Sequence, residues 1–101
     1  VKVRFIKAAR NELDGAIRYY NGERDGLGED FKAEVDAALD RIEFWPSAWS
    51  RVSPTARLCK TKRFPYGLVY FVDDDEIVVI AVAHLHRRQG YWKKRLKDLD
   101  P

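Results

Sequence analysis

The sequence predicts an α+β fold in the order β-α-α-β-β-β, with a small antiparallel sheet packed against a two-helix hairpin, plus a short C-terminal helix. Three observations predict it. Apolar residues recur at helical spacing in two tandem stretches of the first half. Apolar and aromatic runs of strand length dominate the second half. Short polar turns and Pro46 separate these stretches. Strands that follow helices through short turns favour an antiparallel sheet covered on one face.

Each element has its own signal. Val1, Val3 and Phe5 alternate with Lys2 and Arg4, the pattern of a half-buried strand. Ala9, Leu13, Ala16, Ile17 and Tyr20 place an amphipathic helix over 9–23. Polar residues and two glycines over 21–26 end it. A second helix carries Leu27, Phe31, Val35, Ala38, Leu39, Ile42 and Trp45 as its stripe. Glu29 and Asp30 suit the positive end of its dipole, and Pro46 stops it. Residues 47–56 read as loop and 57–63 as a basic strand. Tyr66–Val72 and Glu76–His86 read as a hairpin turning at Asp73–Asp75, and 89–99 as a short helix. Trp45, Phe31, Tyr70 and Phe71 are expected in the core.

The chain has 101 residues, enough for a single domain over 1–101 with one modest core. Its 46% hydrophobic content excludes an intrinsically disordered class. One cysteine, Cys59, excludes an intrachain disulfide. The longest apolar run, Ile77–Ala83, is strand-sized, so no membrane span is expected. With no leader pattern at the start, a cytoplasmic location is expected.

Charge is unevenly placed. Residues 1–45 hold 8 Lys/Arg against 10 Asp/Glu, and residues 46–101 hold 11 against 6. The basic half suits a polyanion or an acidic protein partner; a merely solvated basic face is the alternative. Two clusters could carry chemistry. Arg57, Lys60, Lys62 and Arg63 lie on the basic strand, where alternation puts Lys60 and Lys62 on one face. Cations there could stabilise charge on a phosphoryl group, or simply keep an edge strand soluble. His84, His86, Arg87, Arg88 and Tyr91 gather at the end of the last strand. A histidine there could move protons near neutral pH, or hydrogen-bond and pack. No third ligand stands at metal spacing, and no phosphate-binding glycine loop is present, so no metal and no cofactor are expected. Trp49 and Trp92 flank basic segments and are candidates for a partner-binding surface.

A family likeness rests on specific residues. Leu27-Gly28, Phe31, Glu34 and Arg41-Ile42 followed by Pro46 resemble the second helix of ParE/RelE-type toxins. Arg63-Phe64-Pro65-Tyr66, Val69-Tyr70, Ile77, Val79, Ala81-Val82, His84, Arg87 and Tyr91-Trp92, with Arg95 beyond, resemble the downstream string of that superfamily. The likeness spans roughly residues 3–96. It implies the toxin of a plasmid-stabilisation, type II toxin–antitoxin pair, inhibiting growth until a cognate antitoxin binds. It implies a catalytic set of Lys60, Lys62, Arg87, Tyr91 and His84 if the chain cleaves mRNA on the ribosome. Arg57, Arg63, His86, Arg88, Trp92 and Arg95 would then bind partners. One departure matters: the arginine that RelE-type ribonucleases carry six residues before the tyrosine falls on Leu85. That moves the expectation toward the ParE branch, which poisons DNA gyrase by binding it. An mRNA endoribonuclease or an inactive antitoxin-binding module are the alternatives. Monomer and homodimer are both open.

Overall fold

A computed structural model describes residues 1–99. Strand β1 (Lys2–Phe5) leads into helices α1 (Lys7–Glu23) and α2 (Leu27–Phe44). Strands β2 (Ser50–Arg51), β3 (Arg57–Lys60), β4 (Tyr66–Asp73) and β5 (Glu76–His84) follow, and α3 (Lys93–Leu99) closes the described chain. The five strands lie in the order β1-β5-β4-β3-β2.

The fold class agrees with expectation, with two differences in the sheet. It is mixed rather than antiparallel, because β1 pairs with β5 in parallel, Val3 against Ile77 and Phe5 against Val79. A parallel pair needs a long crossover. The helical hairpin and the meander of β2 to β4 provide it. The second difference is β2 within the expected loop. Val52 N–H donates to the Ala56 carbonyl and Ala56 N–H to Ser53 Oγ, folding Ser50–Arg51 back onto β3.

The helical hairpin sits on one sheet face. Ala9, Leu13 and Ala16 of α1 and Phe31, Val35, Ala38 and Ile42 of α2 form one core with Cys59, Leu68, Tyr70, Ile77, Val79 and Val82. Gly28 permits the close approach of the two helices: a β-carbon there would collide with the Ile17 carbonyl oxygen and the Asn21 side chain. Asn21 Oδ1 accepts the Gly28 N–H at 2.8 Å, which fixes the corner. The opposite sheet face has a smaller core. Val69, Val78, Ile80, Ala81 and Ala83 pack there with Trp92, and Leu96 adds to it.

A bulge in β5 reverses which residues face the helices. Tyr70 pairs with Val79 but Val69 pairs with Ala81, so Ile80 is the extra residue. Before it, Ile77 and Val79 face the helices; after it, Val82 does. Ile80 and Ala81 both face away. His84, two residues beyond Val82, is thereby placed on the helix side, opposite Tyr66.

Several element ends correct the expectation. The basic strand stops at Lys60, because Glu34 Oε1 accepts the N–H groups of Lys62 and Arg63 and bends the chain away. Lys60 and Lys62 therefore do not share a strand face. The last strand stops at His84, so His86 lies in the following turn rather than beside it on the strand. Trp45 is 56% exposed and outside the core. The helix ends at Phe44, and the Trp45 backbone leaves helical geometry before its ring can turn inward. Phe71 is half-buried against the smaller core, and Phe31 and Tyr70 are fully buried.

Candidate functional site: a cation-rimmed groove beside the first helix

A groove of about 640 Å³ runs between α1 and the end of β5. Gly15, Ala16, Tyr66 and Val82 line it as a mostly apolar floor, and Glu12, His84, Arg87, Arg88 and Tyr91 surround that floor. It continues along α1 into a second cleft of about 430 Å³ bounded by Tyr19, Tyr20, Glu23 and Leu27. The two share Gly15, Ala16, Tyr66, His84 and Arg87. The bulge makes this site, since without it His84 would face the other side of the sheet.

Glu12 organises one end. Strand β1 pairs with β5 only as far as Val79, which leaves the next stretch of the β5 edge without a strand partner. Glu12 Oε1 accepts the Val82 N–H at 3.1 Å. Arg95 donates to the Ile80 carbonyl at 2.8 Å and to both Glu12 oxygens at 2.9 and 3.1 Å. Tyr91 donates its hydroxyl to Glu12 Oε2 at 2.6 Å. One carboxylate thus joins α1, the β5 edge and the C-terminal segment. The hydrogen bond to Glu12 raises the Arg95 pKa. Burial, then the bond to Glu12, raises Tyr91 well above the ordinary phenol value. Tyr91 is thereby held as a hydrogen-bond donor to Glu12.

His84 is similarly constrained. Its ring meets Tyr66 edge-on at 5.1 Å and lies 5.8 Å from the His86 ring. The His86 backbone N–H donates to His84 Nδ1 at 3.2 Å, which assigns the proton of the neutral ring to Nε2. Desolvation lowers the His84 pKa, with the Arg87 and His86 charges adding to it. Both the lowered pKa and the Nδ1 contact favour the neutral ring, with Nε2–H as its donor. Burial also raises Tyr66 and Tyr20, with the Arg87 cation acting against it in both.

The residues singled out in the sequence divide by place. His84, Arg87, Arg88 and Tyr91 come together around the groove. Lys60 and Lys62 are not among its lining residues. Lys60 pairs with Gly67, which pairs with Ala83, so two strand spacings, about 10 Å, separate the Lys60 and Ala83 backbones. Lys60 follows Cys59, which faces the helices, and so projects to the opposite face. Lys62 sits in the turn held by Glu34. Arg63 lies 3.9 Å from Asp30, and Arg57 donates to the Trp49 carbonyl at 2.8 Å. His86 is exposed, whereas Trp92, expected on a partner-binding surface, is 6% exposed and part of the smaller core. Arg95 is occupied by Glu12. Glu12 itself was missed; its one signal is an acid on the border of the Ala9–Leu13–Ala16 stripe.

Among the described residues, no group of three or more His, Cys, Asp or Glu could hold a metal ion. Nor is any helix there long and apolar enough to cross a membrane.

A helical hairpin on a small mixed sheet is the fold of small toxins of the ParE and RelE type. The chain belongs to the ParE toxin family of type II toxin–antitoxin systems, parDE, which it matches over residues 3–91. It is the toxin component of such a pair, and its family implies a cognate antitoxin partner. Its fold is similar to a structure described as the chromosomal ParDE toxin–antitoxin system from P. aeruginosa. There the TM-score is 0.63 at 14% identity, covering 85% of this chain and 97% of that one. It is also similar to the isolated E. coli RelE toxin, with a TM-score of 0.62 at 21% identity over 98% of each chain. No curated protein matches the sequence.

Proposed function

We propose that this toxin acts in the cytoplasm by binding DNA gyrase, without cleaving RNA, and that its antitoxin occupies the groove beside α1. The observation that carries the non-catalytic reading is the dispersal of the candidate catalytic set. Lys60 and Lys62 stand away from the groove that holds Arg87, His84 and Tyr91. Tyr91 is tied to Glu12, His84 Nδ1 is taken by a backbone N–H, and Leu85 stands where a ribonuclease arginine is expected. A leucine offers nothing to a phosphorane. An apolar floor under a rim of Arg87, Arg88 and His84 suits an antitoxin segment with aliphatic anchors and carboxylates.

The test is a supercoiling assay with purified protein. Inhibition that rises with toxin and is reversed by the antitoxin is expected. Unchanged gyrase activity at saturating toxin overturns the reading.

One observation favours a second reading, an mRNA endoribonuclease: Arg87, His84 and Tyr91 do share a groove. Primer extension on cellular mRNA after induction separates the two. Codon-linked cuts would establish cleavage, and their absence dismisses it.

A further inference from the structure

We propose that the outer face of α3, with Arg88 beside it, is a second interaction surface, one that tracks the phosphate backbone of a nucleic-acid duplex. The surface meets the apolar groove at Arg88, is otherwise carried by α3, and stands whichever target the toxin has. Between Leu85 and Leu99 the chain carries six Lys or Arg residues and one acid, Asp98. Arg95 is neutralised by Glu12, and Arg87 belongs to the groove. The remaining four, Arg88, Lys93, Lys94 and Lys97, are all exposed. Among the described residues none of them lies in an ion pair.

Helical phase sorts this segment cleanly. Trp92 and Leu96 turn into the smaller core and Arg95 turns to Glu12. Lys93, Lys94 and Lys97 then fall within about 100° of arc on the opposite side. Arg88 and Lys93 both border a cleft of about 270 Å³ between this segment and the sheet. The platform is fixed rather than trailing, because the Glu12–Arg95 pair and the buried Trp92 ring hold it down.

The composition of the face selects the occupant. A protein partner binds chiefly through buried apolar and aromatic anchors. Here the apolar side chains of Trp92 and Leu96 point inward, and the outward arc is lysine. Single-stranded nucleic acid binds by stacking bases on exposed rings. Trp92 is buried, the Arg95 guanidinium lies over the Tyr91 ring at 5.1 Å, and the lysine arc itself carries no ring for stacking. A duplex backbone needs only cations, and it presents one charge per ~1.7 Å of its axis to a helix about 10 Å long.

The experiment is fluorescence anisotropy of the purified full chain with labelled 20-base-pair DNA and RNA duplexes, titrated with salt. Binding to both duplexes that weakens steeply with salt is expected, since each phosphate contact adds ~0.9 to the slope of log K against log salt. The combined Lys93→Gln, Lys94→Gln, Lys97→Gln variant is expected to flatten that slope by about 2 to 3. The corresponding triple arginine variant is expected to keep it, and a Lys7→Gln, Arg10→Gln, Arg18→Gln control on α1 to leave it unchanged. A slope unaltered in the lysine variant would falsify the proposal, as would tighter binding to a single strand of equal length. So would loss of antitoxin affinity in that variant with duplex binding intact, which would assign the face to the protein partner.

Discussion

Glu12 carries more of the site than any single residue the sequence drew attention to. It accepts bonds from Tyr91, Arg95 and the Val82 N–H, and its side chain is 25% exposed. Removing it takes the acceptor from the Tyr91 hydroxyl and the Val82 N–H and leaves the Arg95 guanidinium only the Ile80 carbonyl. Glu12→Ala is expected to destabilise the fold by about 2 kcal/mol, between the values for exposed and fully buried pairs. Urea denaturation measures this, and a change below ~0.5 kcal/mol would mean that water replaces the carboxylate. Nothing in the sequence joins Glu12 to partners 79 and 83 residues away. A lone acid on a helix reads as surface, so this part of the site was illegible. His84, Arg87 and Tyr91 were legible because their chemistry stands out in any context. His84 also sets a pH dependence. Its folded pKa lies below the ordinary 6.5, so the unfolded chain binds the proton more readily. Its contribution is whole above pH 6.5 and is lost as pH falls through the folded value. The urea midpoint is expected to drop between pH 7.5 and pH 5.5. That drop is expected to shrink in His84→Gln; an equal drop in both proteins would place the sensitivity elsewhere.

At the scale of elements, the helices and most strands could be read from periodicity, and the sheet's handling of β5 could not. Ile77 to Ala83 is apolar without interruption because both faces of β5 are covered. A strand buried on both sides has no alternation, so the extra residue at Ile80 leaves no trace in the pattern. Yet that residue decides on which face His84 emerges. The basic strand misled for a related reason. Its continuation to Lys62 and Arg63 looks regular, but Glu34 on α2 captures their N–H groups and ends the ladder. The helix corner was legible as a break and not as a contact. Gly28→Ala is expected to destabilise by about 1 to 3 kcal/mol, because the added carbon meets the Ile17 carbonyl across the corner. Gly22→Ala, near the end of α1 with no atom within 4 Å of the added carbon, is expected to stabilise by about 0.5 to 1 kcal/mol. Thermal unfolding of the two variants separates packing from propensity. Equal shifts of the same sign would show that the helices do not meet as closely as Gly28 requires.

Over the whole molecule, two cationic surfaces differ in how much apolar area they offer. The groove beside α1 combines an apolar floor with a cationic rim. The α3 face is cationic, with Trp92 and Leu96 turned inward. If the antitoxin takes the groove and a duplex takes α3, the two can be addressed separately, and that separability is testable. Gly15 borders both parts of the groove, and a β-carbon added there meets only the end of Arg18, at 4.0 Å. Gly15→Trp would fill the groove without entering the core and would remove a helix-weakening glycine. Antitoxin affinity is expected to fall at least ~100-fold, since a displaced apolar anchor and its desolvated neighbours are worth about 3 kcal/mol. Thermal stability is expected to hold, and affinity for a nucleic-acid duplex to stay at the wild-type value. The triple lysine-to-glutamine variant of α3 is expected to do the reverse, keeping the antitoxin and losing the duplex. Titration calorimetry with the antitoxin and anisotropy with the duplex, run on both variants, give four affinities. If either substitution weakens both partners together, the two surfaces are one, and the antitoxin covers the same cations that bind the duplex.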